Sequence, residues 1–310
     1  MLHYRGFPHL PSRIFDTGPA DDWDNSRVSS IHSHWLKFSG LLAEIEPDPW
    51  REGGWVLTVD GTPQSHVDLS HPDELHFEYI ARMGHIIDEA FEPGEALTAV
   101  HLGAGALTIP RYVAVTHPGS RQQVIEIETD LIDFVREHLP LPRDASIRCR
   151  YGDARAVMGA LPGGILGQVD LVVVDIFRGA RTPAHVTSVE FYTEVQRLLS
   201  PRGIVVINVA DGPPLAFAKS QLATVRHVFG DGFAIAESSV AKGRRFGNVV
   251  LAAWSGDREF AGIPRLMAAG PHPSKVIAGS EAADWVRSAP IVTDATAIDS
   301  PPPSRNLFAN

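Results

Sequence analysis

The segment from Val100 to Glu128 constrains the fold of this chain more than any other part of the sequence. An apolar stretch, Leu97 to Leu102, is followed by Gly103-Ala104-Gly105, then by a segment with helical spacing, and then by a second apolar run that ends in Glu126 and Glu128. A strand, a glycine turn, a helix and a strand ending in an acid form the layout of a nucleoside-binding β-α-β unit. Glycines let the backbone approach a ligand, and a carboxylate at the end of the second strand can accept hydrogen bonds from both hydroxyls of a ribose. Because Gly-x-Gly turns are common, this interpretation depends on the segments that follow.

Beyond residue 97 the hydrophobic pattern alternates regularly between strands and helices. The predicted strands are 97–102, 122–128, 146–151, 169–177, 203–209, 232–240 and 247–254. The predicted helices are 106–115, 129–138, 153–160, 188–199 and 214–229. Continuous apolar strands such as Val169–Val174 are typical of a parallel sheet that helices cover on both faces. Only the short segment 241–246 separates the last two strands, which predicts a hairpin and therefore a seven-stranded, doubly wound sheet with one antiparallel strand.

The regions on either side of this α/β core have different patterns. The predicted division is 1–30 for a polar, flexible N-terminal arm, 31–72 for a small antiparallel β-domain, 73–260 for a Rossmann-like domain and 261–310 for a partly extended C-terminal tail. Strand patterns at 37–46 and 55–59, with a turn at Asp60-Gly61, support the β-domain. Helical spacing is found at 75–90, and the tail contains one further helix pattern at 280–287.

Charge and cysteine content argue against several functional classes. The formal net charge is −10 and the longest basic run is Arg244-Arg245, so nucleic acid is not expected as a partner. No stretch approaches the roughly 18 uninterrupted apolar residues of a membrane span, and the N-terminus shows no signal-peptide pattern. With a lone cysteine, Cys149, these features favour a cytoplasmic protein without a membrane segment. The 14 histidines show none of the paired spacings of a zinc site, so no metal is expected.

Candidate site residues follow four successive strands of the predicted sheet. Gly103 and Gly105 follow the first strand, Glu126 lies near the end of the second, Asp153 follows the third and Asp175 lies near the end of the fourth. Because ligands bind such sheets at the carboxyl ends of the strands, near the topological switch point, we expect these residues to surround one site. Taken alone, Asp153 is best explained as the N-cap of the helix that it precedes. Acids or glycine turns at four successive strand ends favour a binding site.

The order of these motifs resembles the spermidine synthase (aminopropyltransferase) family, which has the core fold of class I methyltransferases. The resemblance extends over residues 35–255. It is carried by Asp60-Gly61-Thr62-Pro63-Gln64, Phe77-Glu78-Tyr79-Ile80, the glycine turn, Ile125-Glu126-Ile127-Glu128, Gly152-Asp153-Ala154, the strand that ends in Asp175, and Phe191-Tyr192 through Gly203.

The resemblance implies a function and roles for individual residues. The substrates would be decarboxylated S-adenosylmethionine, or S-adenosylmethionine itself, and a small amine, and the protein would be a homodimer. The residues that would bind the nucleoside are Gln64, Gly103, Gly105, Glu126 and Asp153, with Glu126 on the ribose and Asp153 on the adenine. Asp175 would be the catalytic residue that helps to deprotonate an attacking amine.

The chain departs from the family pattern in the half of the site that handles the amine. The family has an acid in its glycine loop where this chain has Ala106, and the family's D-x-x-D pair becomes Asp175-Ile176-Phe177-Arg178. Two unit charges about 4 Å apart interact by roughly 4 kcal/mol at an effective dielectric constant of about 20. Exchanging a carboxylate for Arg178 reverses the sign of that interaction for a diammonium substrate, so putrescine fits these residues poorly.

Three functions remain open on the sequence. The first is aminopropyl transfer to a less cationic, or anionic, acceptor, and the second is methyl transfer from S-adenosylmethionine. The third is a non-catalytic relative that binds a nucleoside or serves as a scaffold. His76, Arg178 and Asn208 are the candidate contacts of the second substrate.

Overall fold

The computed structural model describes residues 31–269 and 273–303, and the predicted arm, 1–30, lies outside the described residues. The strands are β1 His32–Trp35, β2 Leu42–Pro47, β3 Gly54–Val59, β4 Thr62–Asp68, β5 Thr98–Leu102, β6 Arg121–Glu126, β7 Ser146–Tyr151, β8 Val169–Val174, β9 Leu199–Asp211, β10 Asp231–Glu237, β11 Gly247–Trp254 and β12 Ser274–Ile277. The α-helices are α1 Glu78–Ala90, α2 Thr108–Thr116, α3 Thr129–His138, α4 Ala154–Gly159, α5 Val189–Leu198, α6 Ala216–Phe229, α7 Ser238–Ala241, α8 Ile263–Ala269 and α9 Gly279–Val286.

Strands β1 to β4 form an antiparallel sheet in sequence order. The sequence predicted one strand over 37–46, whereas the structure has β1 and β2 on either side of a turn. Gly40 has φ of +71°, and its N–H donates to the Leu36 carbonyl at 2.9 Å. A left-handed glycine reverses the chain here, inside the stretch read as continuous strand. The predicted turn at Asp60-Gly61 is confirmed: both residues have positive φ, as a tight two-residue hairpin requires.

The second sheet confirms the α/β fold class but has eight strands instead of the predicted seven. Its order is β12-β10-β11-β9-β8-β5-β6-β7, and β9, β8, β5, β6 and β7 are parallel. The predicted antiparallel hairpin of β10 and β11 is confirmed, although 238–240, the end of the first predicted strand, belongs to α7. The additional strand, Ser274–Ile277, comes from the predicted tail and pairs with the outer edge of β10. Four residues are too few to show a strand period in the sequence.

The order of the parallel strands determines where the site lies. All six residues of β8 are buried, because apolar clusters cover the sheet on both faces. Along the chain, β5, β6 and β7 extend the sheet in one direction, and β8 and β9 extend it in the other. The carboxyl ends of β5 and β8 therefore border the crevice at which such sheets bind ligands.

Within residues 31–269 and 273–303, no helix combines the length and the apolar character needed to cross a membrane.

Candidate active site

A cavity of about 390 Å³ lies at this crevice. The turns after β5, β6, β7 and β8 form one side of it, and the β3–β4 hairpin of the small sheet forms another. The structure thus brings together groups from four strand ends. Seven of the predicted site residues line the cavity: Gln64, Gly103, Gly105, Glu126, Asp153, Asp175 and Arg178.

The glycine turn allows two strand ends to approach each other closely. Gly103 has φ of +94°, and a Cβ atom at this position would lie 2.2 Å from the carbonyl oxygen of Asp175. Gly105 has φ of +49°, and its Cβ would lie 2.4 Å from the hydroxyl of Ser65. That hydroxyl accepts a hydrogen bond from the Ala106 N–H at 3.1 Å. The two glycines are therefore required by backbone conformation and by close packing at the cavity wall.

Glu126 is held rigidly at the end of β6. Its Oε2 accepts from the Ala104 N–H at 2.8 Å and its Oε1 from the Glu128 N–H at 2.9 Å. Burial raises the pKa of the Glu126 carboxyl, and these backbone hydrogen bonds oppose the rise. Each oxygen keeps a second lone pair that can accept from a hydroxyl, so the carboxylate is suited to a diol such as a ribose.

Glu128, two residues later, has a different role. Its carboxylate accepts from the backbone N–H groups of Ser39 at 2.9 Å and Phe38 at 3.3 Å. It therefore joins the β1–β2 turn of the small sheet to the start of α3.

Asp153 is both a helix cap and part of the cavity wall. Its Oδ1 accepts from the Ala156 N–H at 3.0 Å, which caps α4. Its Oδ2 lies 2.7 Å from Nε2 of His185, which also lines the cavity. Partial burial raises the pKa of the Asp153 carboxyl, but the hydrogen bonds from Ala156 and His185 outweigh it, and the net shift is downward. A carboxylate held ionised in this way can accept further hydrogen bonds.

Asp175 lies at the end of β8, beside the crevice. Its Oδ1 accepts from Nδ2 of Asn208 at 2.9 Å. Burial raises its pKa to about 6, against the opposing effect of that hydrogen bond. Asn208 itself is not among the described residues that line the cavity, so it acts on the site through Asp175.

Tyr79 is a cavity residue that sequence reasoning missed. It falls within the helical pattern at 75–90, but its hydroxyl donates to the Gln64 carbonyl at 3.2 Å and the residue lines the cavity. Burial, and then the charge of Asp175, raise the pKa of Tyr79 well above its usual value. The phenol therefore stays neutral and can serve only as a hydrogen-bonding group. Its place in the motif Phe77-Glu78-Tyr79-Ile80 was the available signal.

Two further predicted residues, Arg178 and His76, lie in different places. Arg178 is exposed at the cavity rim, in a tight turn in which its N–H donates to the Arg181 carbonyl at 2.8 Å. His76 is not among the described residues that line the cavity. Its ring packs against His66 with centroids 4.3 Å apart, and its Nδ1 lies 3.4 Å from Nη1 of Arg51. The structure does not bring His76 to the other site residues.

The described part of the chain contains no group of three or more His, Cys, Asp or Glu side chains positioned to hold a metal ion.

Comparisons with known proteins identify the family of this chain and its fold. No family model matches the chain. A polyamine aminopropyltransferase from Vibrio vulnificus (strain CMCP6) is 30% identical over 131 residues, which cover 42% of this chain and 42% of that protein. The match thus spans less than half of that relative's length.

Solved structures extend the likeness over more of the chain. The crystal structure of a probable spermidine synthase from Corynebacterium glutamicum ATCC 13032 is 31% identical, with a TM-score of 0.75, and the alignment covers 84% of this chain and 95% of that one. A spermidine synthase in complex with the transition state analogue AdoDATO is 14% identical with a TM-score of 0.51 over 77% of each chain, which shows a shared fold alone. The chain therefore belongs to the spermidine-synthase-like family, whose members have a class I methyltransferase-like core.

Proposed function

We propose that this protein binds decarboxylated S-adenosylmethionine and transfers its aminopropyl group to an amine acceptor other than putrescine. The observation that carries the proposal is the convergence of Glu126, Asp153 and Asp175 on one cavity at the switch point of the sheet. An adenosyl ligand is further supported by the AdoDATO complex of a spermidine synthase with the same fold.

The nucleoside half of the site has hydrogen-bond acceptors at both ends of an adenosyl group. The fixed carboxylate of Glu126 is suited to the two ribose hydroxyls, and Asp153 is suited to the adenine amino group. Gly103 and Gly105 let the turn pass close to the Asp175 carbonyl and the Ser65 hydroxyl, which shapes the cavity wall beside these carboxylates. These groups also suit methylthioadenosine, the product that remains when the aminopropyl group leaves.

The reaction requires one proton acceptor. The amine nitrogen attacks the carbon next to the sulfonium, the new C–N bond forms as the C–S bond breaks, and the sulfur keeps the bonding pair as a neutral thioether. The amine must lose a proton, and Asp175, with a pKa of about 6, is mostly ionised near pH 7.5 and can take it. Positioning of the two reactants supplies much of the remaining rate enhancement.

The acceptor half lacks the features that suit a diammonium. The residues after Asp175 are Ile176, Phe177 and Arg178, all of which line the cavity. A guanidinium at the rim repels a second ammonium and attracts a carboxylate. We therefore infer an acceptor amine with less positive charge than putrescine, or one that carries an acidic group.

Methyl transfer is the second candidate, and Ala106 favours it. This residue is buried, and its N–H is bound to Ser65, so the turn presents no carboxylate at that position. The methionine carboxylate of intact S-adenosylmethionine would meet no repulsion there.

Calorimetric titration with methylthioadenosine, decarboxylated S-adenosylmethionine and S-adenosylmethionine tests the proposal. We expect binding of the first two, with a large loss of affinity in Glu126→Ala and none in Glu137→Ala, an exposed acid of α3. Preference for the intact cofactor would move the function to methyl transfer, and no binding of any of them would refute the nucleoside site. Spermidine formation from putrescine at a rate typical of the family would refute the role given to Arg178. The homodimer and the cytoplasmic location remain predictions.

A further inference from the structure

His185 borders the cavity beside the residue proposed to read the adenine. Its Nε2 lies 2.7 Å from Oδ2 of Asp153, and the two side chains are 42% and 38% exposed. A carboxylate can only accept, so Nε2 carries the hydrogen and donates it. With Ala156 on Oδ1, each oxygen of Asp153 has one fixed donor, and the orientation of the carboxylate is set from both sides.

Arg155 connects His185 to the rest of the molecule. Its Nη1 donates to the His185 carbonyl at 3.2 Å. The same guanidinium binds Glu194 at 2.9 Å and forms a two-pronged pair with Asp294 at 2.8 and 3.0 Å. Bidentate pairs of this kind fix geometry as well as charge. The turn that carries His185 is therefore anchored through an arginine two residues after Asp153.

The segment Val292–Ser300, which we call the C-terminal strap, holds the other side of that turn. The Ala184 N–H donates to Oδ1 of Asp299 at 2.9 Å, and the Thr182 N–H donates to Oγ of the fully buried Ser300 at 2.9 Å. The Ser300 N–H in turn donates to the Thr182 carbonyl at 3.0 Å. The strap thus pairs with the backbone immediately before His185.

From these contacts we propose that His185 is a positioning residue for Asp153, and that the C-terminal strap and Arg155 hold it in place so that the site selects a nucleobase with an exocyclic amino group. The inference rests on the proposed nucleoside site. With these donors in place, the lone pair of Asp153 that faces the cavity is available to a hydrogen-bond donor there. The adenine amino group satisfies them, whereas the keto oxygen of hypoxanthine would face them with another acceptor.

Base selectivity separates this role from a merely structural one. The test is the dissociation constant of methylthioadenosine and of methylthioinosine, measured by calorimetry on the full chain. The wild type should prefer methylthioadenosine by about tenfold or more, the size expected when a hydrogen bond to a charged group is lost. His185→Ala should weaken methylthioadenosine binding about five- to tenfold and reduce that preference. His185→Gln, whose amide N–H can reach the same carboxylate, should restore most of both.

The outcomes distinguish this proposal from the one on which it depends. If the wild type binds methylthioadenosine and His185→Ala keeps the same affinity and the same preference, the role of His185 is refuted and the nucleoside site stands. If the wild type binds neither nucleoside, both are refuted.

A second pair of variants tests the anchoring. Arg155→Met should lower methylthioadenosine affinity and base preference in the same direction as His185→Ala. Arg226→Met is the matched control, because Arg226 is equally buried, at 21% exposure, and pairs with Asp231 away from the cavity. Equal effects of the two arginine variants on affinity and base preference would overturn the role of Arg155.

Discussion

Asp175 combines a position suited to proton transfer with a cost to folding. Its pKa rises from 3.8 to about 6 on folding, so the folded protein holds this proton more tightly than the unfolded chain does. The cost is absent when both states are protonated, appears between pH 4 and 6, and is complete above about pH 6. At neutral pH the partly buried charge therefore destabilises the fold, by at most roughly 3 kcal/mol.

Asp175→Asn should accordingly stabilise the protein in a pH-dependent way. The amide keeps an oxygen for the Asn208 hydrogen bond and removes the buried charge. We expect the midpoint of thermal unfolding to rise by about 5 °C near pH 8 and to change little near pH 4. Differential scanning calorimetry at both pH values is the measurement, with the exposed Asp144→Asn as control. An equal increase at both values would show that the buried charge is not the cause.

The same substitution should abolish turnover without abolishing nucleoside binding. Asn cannot accept the proton of an attacking amine, so we expect kcat to fall by about 10²-fold or more while methylthioadenosine affinity changes little. In the wild type, kcat/KM should decline as the pH is lowered through about 6, because Asp175 then becomes protonated. A wild-type profile that is flat between about pH 5 and 7 would argue against Asp175 as the base.

Individual site residues were predictable where a strand end marks them. Glu126, Asp153 and Asp175 each lie at the carboxyl end of a parallel strand, so their position at one common edge follows from the sheet. Tyr79 and His185 were not predictable in this way. One lies in a helix whose apolar spacing concealed it, and the other lies in a turn whose position depends on contacts more than a hundred residues away in the chain.

The close approach of the carboxyl ends of β5 and β8 depends on Gly103. A Cβ at Gly103 would lie 2.2 Å from the Asp175 carbonyl, and backbone at that distance cannot move aside as a side chain can. Gly103→Ala should therefore force the two strand ends apart and displace Asp175. We expect a loss of about 3 kcal/mol of stability or more, together with loss of nucleoside binding.

Gly94→Ala is the matched control for Gly103→Ala. Gly94 has a similar φ of +80°, but a Cβ there meets nothing within 4 Å. It should cost only the conformational penalty of about 1 kcal/mol. Urea unfolding of both variants separates the two contributions. Equal losses would mean that the close approach of the strand ends is not what requires a glycine at position 103.

Long helices and strands with a clear hydrophobic period were predictable, and short ones were not. The alternation of β5 to β11 is visible because strands such as β8 are largely apolar and helices such as α3 have one apolar face. The four-residue strand Ser274–Ile277 gains its place by pairing with β10, and α7 interrupts a hairpin that the sequence shows as continuous. In both cases tertiary contacts outweigh local pattern.

At the level of the whole chain, the motif order predicted the fold class, but not how far the tail contributes to the core. Val292–Ser300 has no regular secondary structure and no sequence period. It contacts Arg155, Thr182 and Ala184, each more than a hundred positions away in the sequence, and Thr224, which is 68 positions away. Because such contacts leave no local signal, sequence reasoning could assign this tail only an extended character.

The cavity lies between the two sheets, so a bound nucleoside should order both. Leu57, Gln64 and Ser65 of the β3–β4 hairpin line it together with the turns of the large sheet. Hydrogen–deuterium exchange with and without methylthioadenosine should show protection in 59–65, 103–108 and 176–185. The β12–β10 edge of the large sheet contributes none of the described lining residues and should be unchanged.

The exchange pattern also shows whether the nucleoside contacts both sheets or the large sheet alone. Binding stabilises whatever it contacts by mass action, so protection should grow with ligand concentration relative to Kd. Glu126→Ala should abolish it in all three segments at the same concentration. Protection confined to the large sheet would show that the hairpin of the small sheet does not close on the nucleoside, and the acceptor would then enter from that side. Protection of both sheets would leave the cavity rim at Arg178 as the route by which the acceptor enters. The positive charge of Arg178 would then determine directly which acceptor amines the site selects.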